Sequence, residues 1–188
     1  VINSTFTNNY AYDGGAIYAN NQSNEIIINN SYFGYNYAYF SGGAISLEAS
    51  KVTINYTTFR NNHAVNGGGA VYVNGTAASN NVSYSVFENN WVTNGNGGGI
   101  DWLASKGNIR YTNFTNNSAV YGGGIYLSGN SNNSVIEHVI FTRNNATKNG
   151  GAIDWNAQNG HLYYNQFMFN EAEYGAALCR EVGATGGN

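Results

Sequence analysis

Residues 6–17 read Phe6-Thr7-Asn8-Asn9-Tyr10-Ala11-Tyr12-Asp13-Gly14-Gly15-Ala16-Ile17, and close variants of this stretch return six more times along the chain. Its phenylalanine recurs at Phe33, Phe59, Phe87, Phe114, Phe141 and Phe167, in steps of 27, 26, 28, 27, 27 and 26 residues. Three residues after each phenylalanine stands an asparagine: Asn9, Asn36, Asn62, Asn90, Asn117, Asn144 and Asn170. A small apolar residue follows two further on, then a run of glycines, then Ile17, Ile45, Val71, Ile100, Ile125, Ile153 or Leu178. A period this regular is the signature of a solenoid.

The glycines decide between strands and helices. A mid-unit Gly-Gly would cost about 1 kcal/mol per glycine inside a helix, and the short apolar stretches alternate with period two, as in Ala70-Val71-Tyr72-Val73 and Val82-Ser83-Tyr84. The pattern predicts an all-β, right-handed parallel β-helix of about seven turns, with about three strands per turn and a length of about 34 Å at the usual strand spacing. Residues 1–188 form a single β-helix domain in this reading. Phenylalanine and the aliphatic residue point inward and stack on their equivalents. The glycines take the bends, and the asparagine column forms a structural amide ladder.

Composition narrows the function classes. Charged residues make up 9% of 188, the net charge is −3, and there is no proline. Nothing supplies the basic face that nucleic acid requires, and no apolar run approaches the ~18 residues of a membrane helix. The chain opens on Val1-Ile2-Asn3-Ser4-Thr5-Phe6, in mid-repeat, and closes on Gly183-Ala184-Thr185-Gly186-Gly187-Asn188 without a visible cap, so it reads as a piece of a longer protein. Cys179 has no partner for a disulfide, and alternation faces it outward on the last turn. Of the Asn-x-Ser/Thr sequons, Asn21, Asn74, Asn132 and Asn145 fall in expected outward loops and are the better glycan acceptors.

The pairing of Phe6-Thr7-Asn8-Asn9 with Gly14-Gly15-Ala16-Ile17, and of Phe141-Thr142-Arg143-Asn144 with Gly150-Gly151-Ala152-Ile153, resembles the repeat of chlamydial polymorphic outer membrane proteins. With its Asn, Tyr and Gly background the chain is more similar still to adhesin-like surface proteins of methanogenic archaea. The resemblance covers essentially the whole chain. It implies a right-handed β-helix of the pectate-lyase-like superfamily and a secreted, cell-surface protein of adhesion or envelope. The shared residues belong to the scaffold, so the resemblance is silent on the ligand.

Function is therefore expected at the outward positions, where the copies differ. After the glycines the outward column reads Tyr18, Ser46, Tyr72, Asp101, Tyr126, Asp154, Cys179. Asp101 and Asp154 arrive in a duplicated Ile-Asp-Trp, two turns and about 9.6 Å apart, which lies at the upper edge of the carboxylate separation of inverting glycosidases. Against catalysis stand the lack of a further acid, lysine or arginine in the column and the lack of a calcium-binding Asp cluster. Trp102 and Trp155 are expected to point inward in place of Leu47, Val73 and Leu127. A second outward column, Tyr10, Tyr37, His63, Trp91, Ser118, Asn145, Glu171, carries four rings beside Tyr12, Tyr39 and Phe40 and suits a saccharide chain or a protein surface.

His63, His138 and His161 occupy different phases of the repeat, and the glycine runs lack a P-loop lysine, so neither a metal nor a cofactor is expected. The first reading is an extracellular adhesin-like module binding surface polysaccharide, glycoprotein or another cell through Tyr10, Tyr37, His63, Trp91, Tyr72, Asp101, Tyr126 and Asp154. The second is a structural protein that stacks end to end into a fibre or layer. The third is a polysaccharide hydrolase or lyase using Asp101 and Asp154.

Overall fold

The computed structural model describes residues 1–23, 25–48, 51–75 and 80–180; the expected uncapped tail at 183–188 lies outside them. Within them the chain winds through the same path in every repeat. In the first, β1 (Thr5–Thr7) carries the phenylalanine, β2 (Tyr10–Ala11) follows the asparagine, β3 (Ile17–Ala19) follows the glycines, and β4 (Ile26–Asn29) returns to the next phenylalanine. Each strand pairs in parallel with its equivalent one turn on, which builds four sheets of seven, six, seven and six strands. We call them the Phe, ring, Ile and return sheets. The coil fits a right-handed parallel β-helix, the hand that right-twisted strands impose on parallel crossovers.

Two expectations about the coil are corrected. A turn holds four strands, not three, because the residue between the phenylalanine strand and the asparagine is left-handed in every copy: Asn8, Tyr35, Asn61, Asn89, Asn116, Arg143 and Phe169 all have φ of 53–57°. That kink ends the Phe strand and sets the next residues into a separate short strand. The left-handed position lies one residue ahead of the ladder asparagine, which is itself not among the positive-φ residues. The ring and return sheets each hold six strands, so the rod has about six complete turns and not seven.

The phenylalanines stack as expected, with successive centroids 4.7–5.2 Å apart and Phe33, Phe59, Phe87, Phe114 and Phe141 fully buried. Their register runs Phe6↔Phe33↔Phe59↔Phe87↔Phe114↔Phe141↔Phe167 without a slip. Ile45, Val71, Ile100, Ile125 and Ile153 face them from the Ile sheet, and Ile28, Ile54, Val82, Ile109 and Ile136 from the return sheet. The two Ile-Asp-Trp segments enlarge this core. Trp102 and Trp155 point inward, and each indole N–H donates to a carbonyl two residues on, Ala104 and Ala157, at 2.9 Å. Each tryptophan faces a glycine five residues later, where an added Cβ would lie 2.5 Å from Trp102 at Gly107 and 2.2 Å from Trp155 at Gly160. The large side chain and the missing one are two halves of one packing solution.

Between the Phe and ring sheets runs the amide ladder. The Nδ2 of Asn9, Asn36, Asn62, Asn90, Asn117 and Asn144 donates to the Oδ1 of the next asparagine at 2.9–3.0 Å, and the backbone N–H of each donates to the same oxygen. From Asn36 onward, Nδ2 also donates back to the carbonyl of the phenylalanine one turn earlier, Asn90 to Phe59 at 3.0 Å for example. Every interior amide is thereby satisfied twice as donor and twice as acceptor while buried. A weaker hydroxyl ladder, Ser4, Ser31, Thr57, Ser85 and Thr112, links the turns two residues before the phenylalanines.

Asn90→Ala strands the donors of Asn62 and the carbonyl of Phe59 in the dry interior. At about 1–3 kcal/mol for each such group, it should lower the unfolding free energy by about 3 kcal/mol or more. Asn9→Ala, at an exposed position, should cost under about 1 kcal/mol; denaturant titration of the two variants reads the contrast.

Candidate functional site

The ring column forms on the outward face of the ring sheet. Register places Tyr10 beside Tyr37, Tyr37 beside His63, and His63 beside Trp91. Tyr10 and Tyr37 stack at 4.7 Å and 9°, and His63 and Trp91 at 4.5 Å and 14°, with an edge contact of 4.9 Å between Tyr37 and His63. Tyr39 sets its edge against both Tyr10 and Tyr37, and Tyr12 stacks on Phe40. The ring planes therefore stand across the rod axis, and the faces mostly meet one another. Solvent meets ring edges and hydroxyls. The Tyr39 hydroxyl, hydrogen-bonded to that of Tyr10, holds Tyr10 up at about 12. Burial pushes the half-buried His63 down, and its Nε2 lies 2.7 Å from Thr93 Oγ1.

The Tyr/Asp column also lines up: Tyr18, Ser46, Tyr72, Asp101, Tyr126, Asp154 and Cys179 are successive register partners on the outer side of the Ile sheet. The expected solvent-exposed Tyr/Asp face is open at Tyr18, which is 52% exposed, and closed where the acids stand. Asp101 is 4% exposed and Asp154 1% exposed, and Tyr72 and Tyr126 are half-buried. A neighbouring column, Ser41, Gly67, Asn96, Tyr121, Asn149 and Tyr174, roofs it over. These residues directly precede the glycines with φ of 60–70°, where the chain turns back over the Ile sheet, and a Cβ at Gly67 would meet Asp101 Oδ2. Asp101 Oδ1 is buried and accepts no hydrogen bond, and burial holds the carboxyl well above the usual carboxylate range. Burial, with the neighbouring Asp101 carboxyl, pushes Tyr72 up to about 12. Asp154 lines a cleft of about 320 Å³ with Asn96, Tyr121, Tyr126 and Asn156, and accepts from Asn156 Nδ2 at 3.3 Å.

A third ring column escaped the sequence reading. Tyr56, Tyr84, Tyr111, His138 and Tyr164 stack at the corner between the return and Phe sheets, with centroids 4.9–5.0 Å apart and planes within 14°. Its signal was the residue three before each phenylalanine, which reads Asn3, Asn30, Tyr56, Tyr84, Tyr111, His138, Tyr164. Each of these has φ of 48–53°, a conformation costing a bulky residue about 1–2 kcal/mol. Ring stacking contributes about 0.5–1.5 kcal/mol per pair, enough to offset most of that.

The three histidines lie on three parts of the rod: His63 on the ring sheet, His138 in the corner column, His161 on the return sheet. Among the described residues no group of three His, Cys, Asp or Glu side chains is placed to hold a metal. Of the sequon asparagines, Asn21 and Asn74 are exposed outside strands, although the Thr76 that completes the Asn74 sequon lies outside the described residues. Asn132 is half-buried, and its Oδ1 accepts from the Gln158 N–H at 2.8 Å. Asn145 is exposed but opens a strand, Asn145–Asn149, and not a loop.

The Chlamydia polymorphic membrane protein repeat matches four stretches, residues 3–20, 56–74, 111–128 and 138–154. Each runs from the corner position through the phenylalanine, the ladder asparagine and the glycine turn into the Ile strand. Neither curated proteins nor solved structures give a significant match. The chain is a β-solenoid repeat protein, four of whose units match that repeat.

Proposed function

We propose that this chain is a module of a surface-exposed, adhesin-like protein that binds polysaccharide or glycoprotein through the ring face of Tyr10, Tyr37, His63 and Trp91. The observation that carries this reading is the exposed aromatic patch itself. Tyr10 is 61% exposed, and Tyr12, Tyr39, Phe40 and Trp91 beside it are exposed too. A contiguous patch of this kind, on a rod whose core already has its own rings, points to a partner. The matched repeat is described as that of a membrane protein, which supports a place at the cell surface.

The same geometry speaks against a hydrolase or lyase. A catalytic carboxylate must reach its substrate; Asp101 is 4% exposed, and Asp154, although it borders a cleft, is 1% exposed. Asp101 also lacks any partner for Oδ1, and burial raises its carboxyl well above the usual carboxylate range.

Two measurements follow. Replacing Tyr10, Tyr37 and Trp91 by Ala should weaken retention on immobilised envelope polysaccharide or glycoprotein at least about tenfold with the β-sheet circular dichroism unchanged; unaltered retention would remove the ring face from the reading. For Asp101, the folded pKa lies above the unfolded value of about 3.9, so its contribution is intact below pH ~4 and is lost as pH rises toward the folded value. Wild-type stability should fall over that window by up to about 1.4 kcal/mol per pH unit, and Asp101→Asn should lack the fall; unfolding curves between pH 4 and 8 read it.

A further inference from the structure

The ring column stops in mid-rod, and it stops on a tryptophan. One face of Trp91 is stacked on His63. Along the axis in the other direction its register partner is Ser118, followed by Asn145, and neither is large enough to cover an indole. No other ring of the described residues lies against Trp91, and the side chain is 40% exposed. Next to it the ring sheet carries a shallow cleft of about 250 Å³ whose polar lining is Thr93, Ser118, Asn145 and Thr147, with Val92, Ala119 and Val120 between them; Trp91 itself is not in the lining, and Ser118, its register partner, joins the two.

We propose that this vacant rung is a binding site for one neutral pyranose ring of a saccharide, stacked on the open face of Trp91 as the next member of the column. The chemistry of the lining selects that occupant. A pyranose has an apolar C–H face, which an indole face accepts, and a rim of hydroxyls that both donate and accept. Around the slot stand three hydroxyls and one amide, groups that likewise do both; the Thr93 hydroxyl already lies 2.7 Å from His63 Nε2, so Ser118, Asn145 and Thr147 supply most of the rim. No charged side chain lines the cleft, so an acidic sugar would gain no counter-charge there. An aromatic side chain of a partner protein would satisfy the indole but leave the hydroxyl rim unmatched. The Ser118 rung, one strand spacing beyond Trp91, has the thickness of a single ring. This inference rests on the reading of the ring face as the binding surface and names the position on it that has an unused face.

Trp91 is also a reporter. Trp102 is fully buried and Trp155 is 4% exposed, so Trp91 is the indole open to a quencher. The test uses soluble hexasaccharides of β-1,4-glucose, α-1,4-glucose, β-1,4-xylose, β-1,4-mannose and β-1,4-N-acetylglucosamine. Acrylamide quenching of tryptophan emission is read beside retention of the protein on the matching immobilised polysaccharide. At least one sugar should protect Trp91 from the quencher and shift its emission to the blue. Ser118→Tyr, which fills the rung with a protein ring, should weaken binding of that sugar at least tenfold without lowering the melting temperature. Trp91→Ala, which removes the platform from the opposite side, should do the same and guards against a folding defect in the first variant.

If a polysaccharide retains the wild type but both variants bind it equally well and Trp91 stays open to acrylamide, the rung is overturned while the ring-face reading stands. If no sugar protects Trp91 and no polysaccharide retains the wild type, both readings fall. Binding to a glycoprotein that survives enzymatic removal of its glycans would overturn the saccharide as the occupant.

Discussion

The buried asparagine ladder is the constraint on which the rest of the rod depends. A β-helix holds its turns together by backbone hydrogen bonds along the axis, and those bonds alone tolerate a slip of register. The ladder does not. Each amide between Asn36 and Asn144 receives two donors from the turn before, gives one to the turn after, and gives its other back to a phenylalanine carbonyl. A displaced turn would leave several buried polar groups without partners at once, a penalty of several kcal/mol. The repeat length drifts between 26 and 28 residues, yet the phenylalanines and asparagines stay aligned. The spare residues are absorbed elsewhere, as at the shift between Ala119 and Tyr121 in the ring sheet.

Perfect register has a consequence for the surface. Identical phases of the repeat are brought one strand spacing apart, which is close to the thickness of a stacked aromatic pair, so rings at one phase spend their faces on one another. The corner column from Tyr56 to Tyr164 is such a stack throughout, and it offsets the left-handed backbone beneath it. A long ring ladder is for that reason a stabilising device first. Capacity to bind a flat ligand is concentrated where a ladder ends, and on the ring sheet the end that falls within the rod is Trp91.

Much of this was legible in the repeat. Phe inward, Asn as a ladder, Gly at the bends and Trp102 and Trp155 in the core all follow from period and alternation, because they concern contacts between equivalent residues. The Gly107 and Gly160 that make space for the tryptophans were equally visible, each five residues behind its Trp, but gained meaning only from the packing. The burial of the Tyr/Asp column has a definite physical cause that period and alternation do not carry. Alternation tells which side of a strand a residue occupies, and Asp101 does lie on the outer side. Whether that side meets water depends on the path of a different segment, and the residues before the left-handed glycines fold back over it.

The sequence by itself determined the coil, its period and its inner columns, since a repeat constrains every residue against its own copy one turn away. Only the tertiary structure decided how many strands make a turn, which outer columns are covered and where a ring face is left open. Those depend on the angle at each corner and on contacts between residues of different phase, which no periodicity encodes. Asp101 and Trp91 show the difference side by side. Both stand on the outer side of the β-helix one sheet apart, and the turn at Gly67 covers the first while the small side chain of Ser118 uncovers the second.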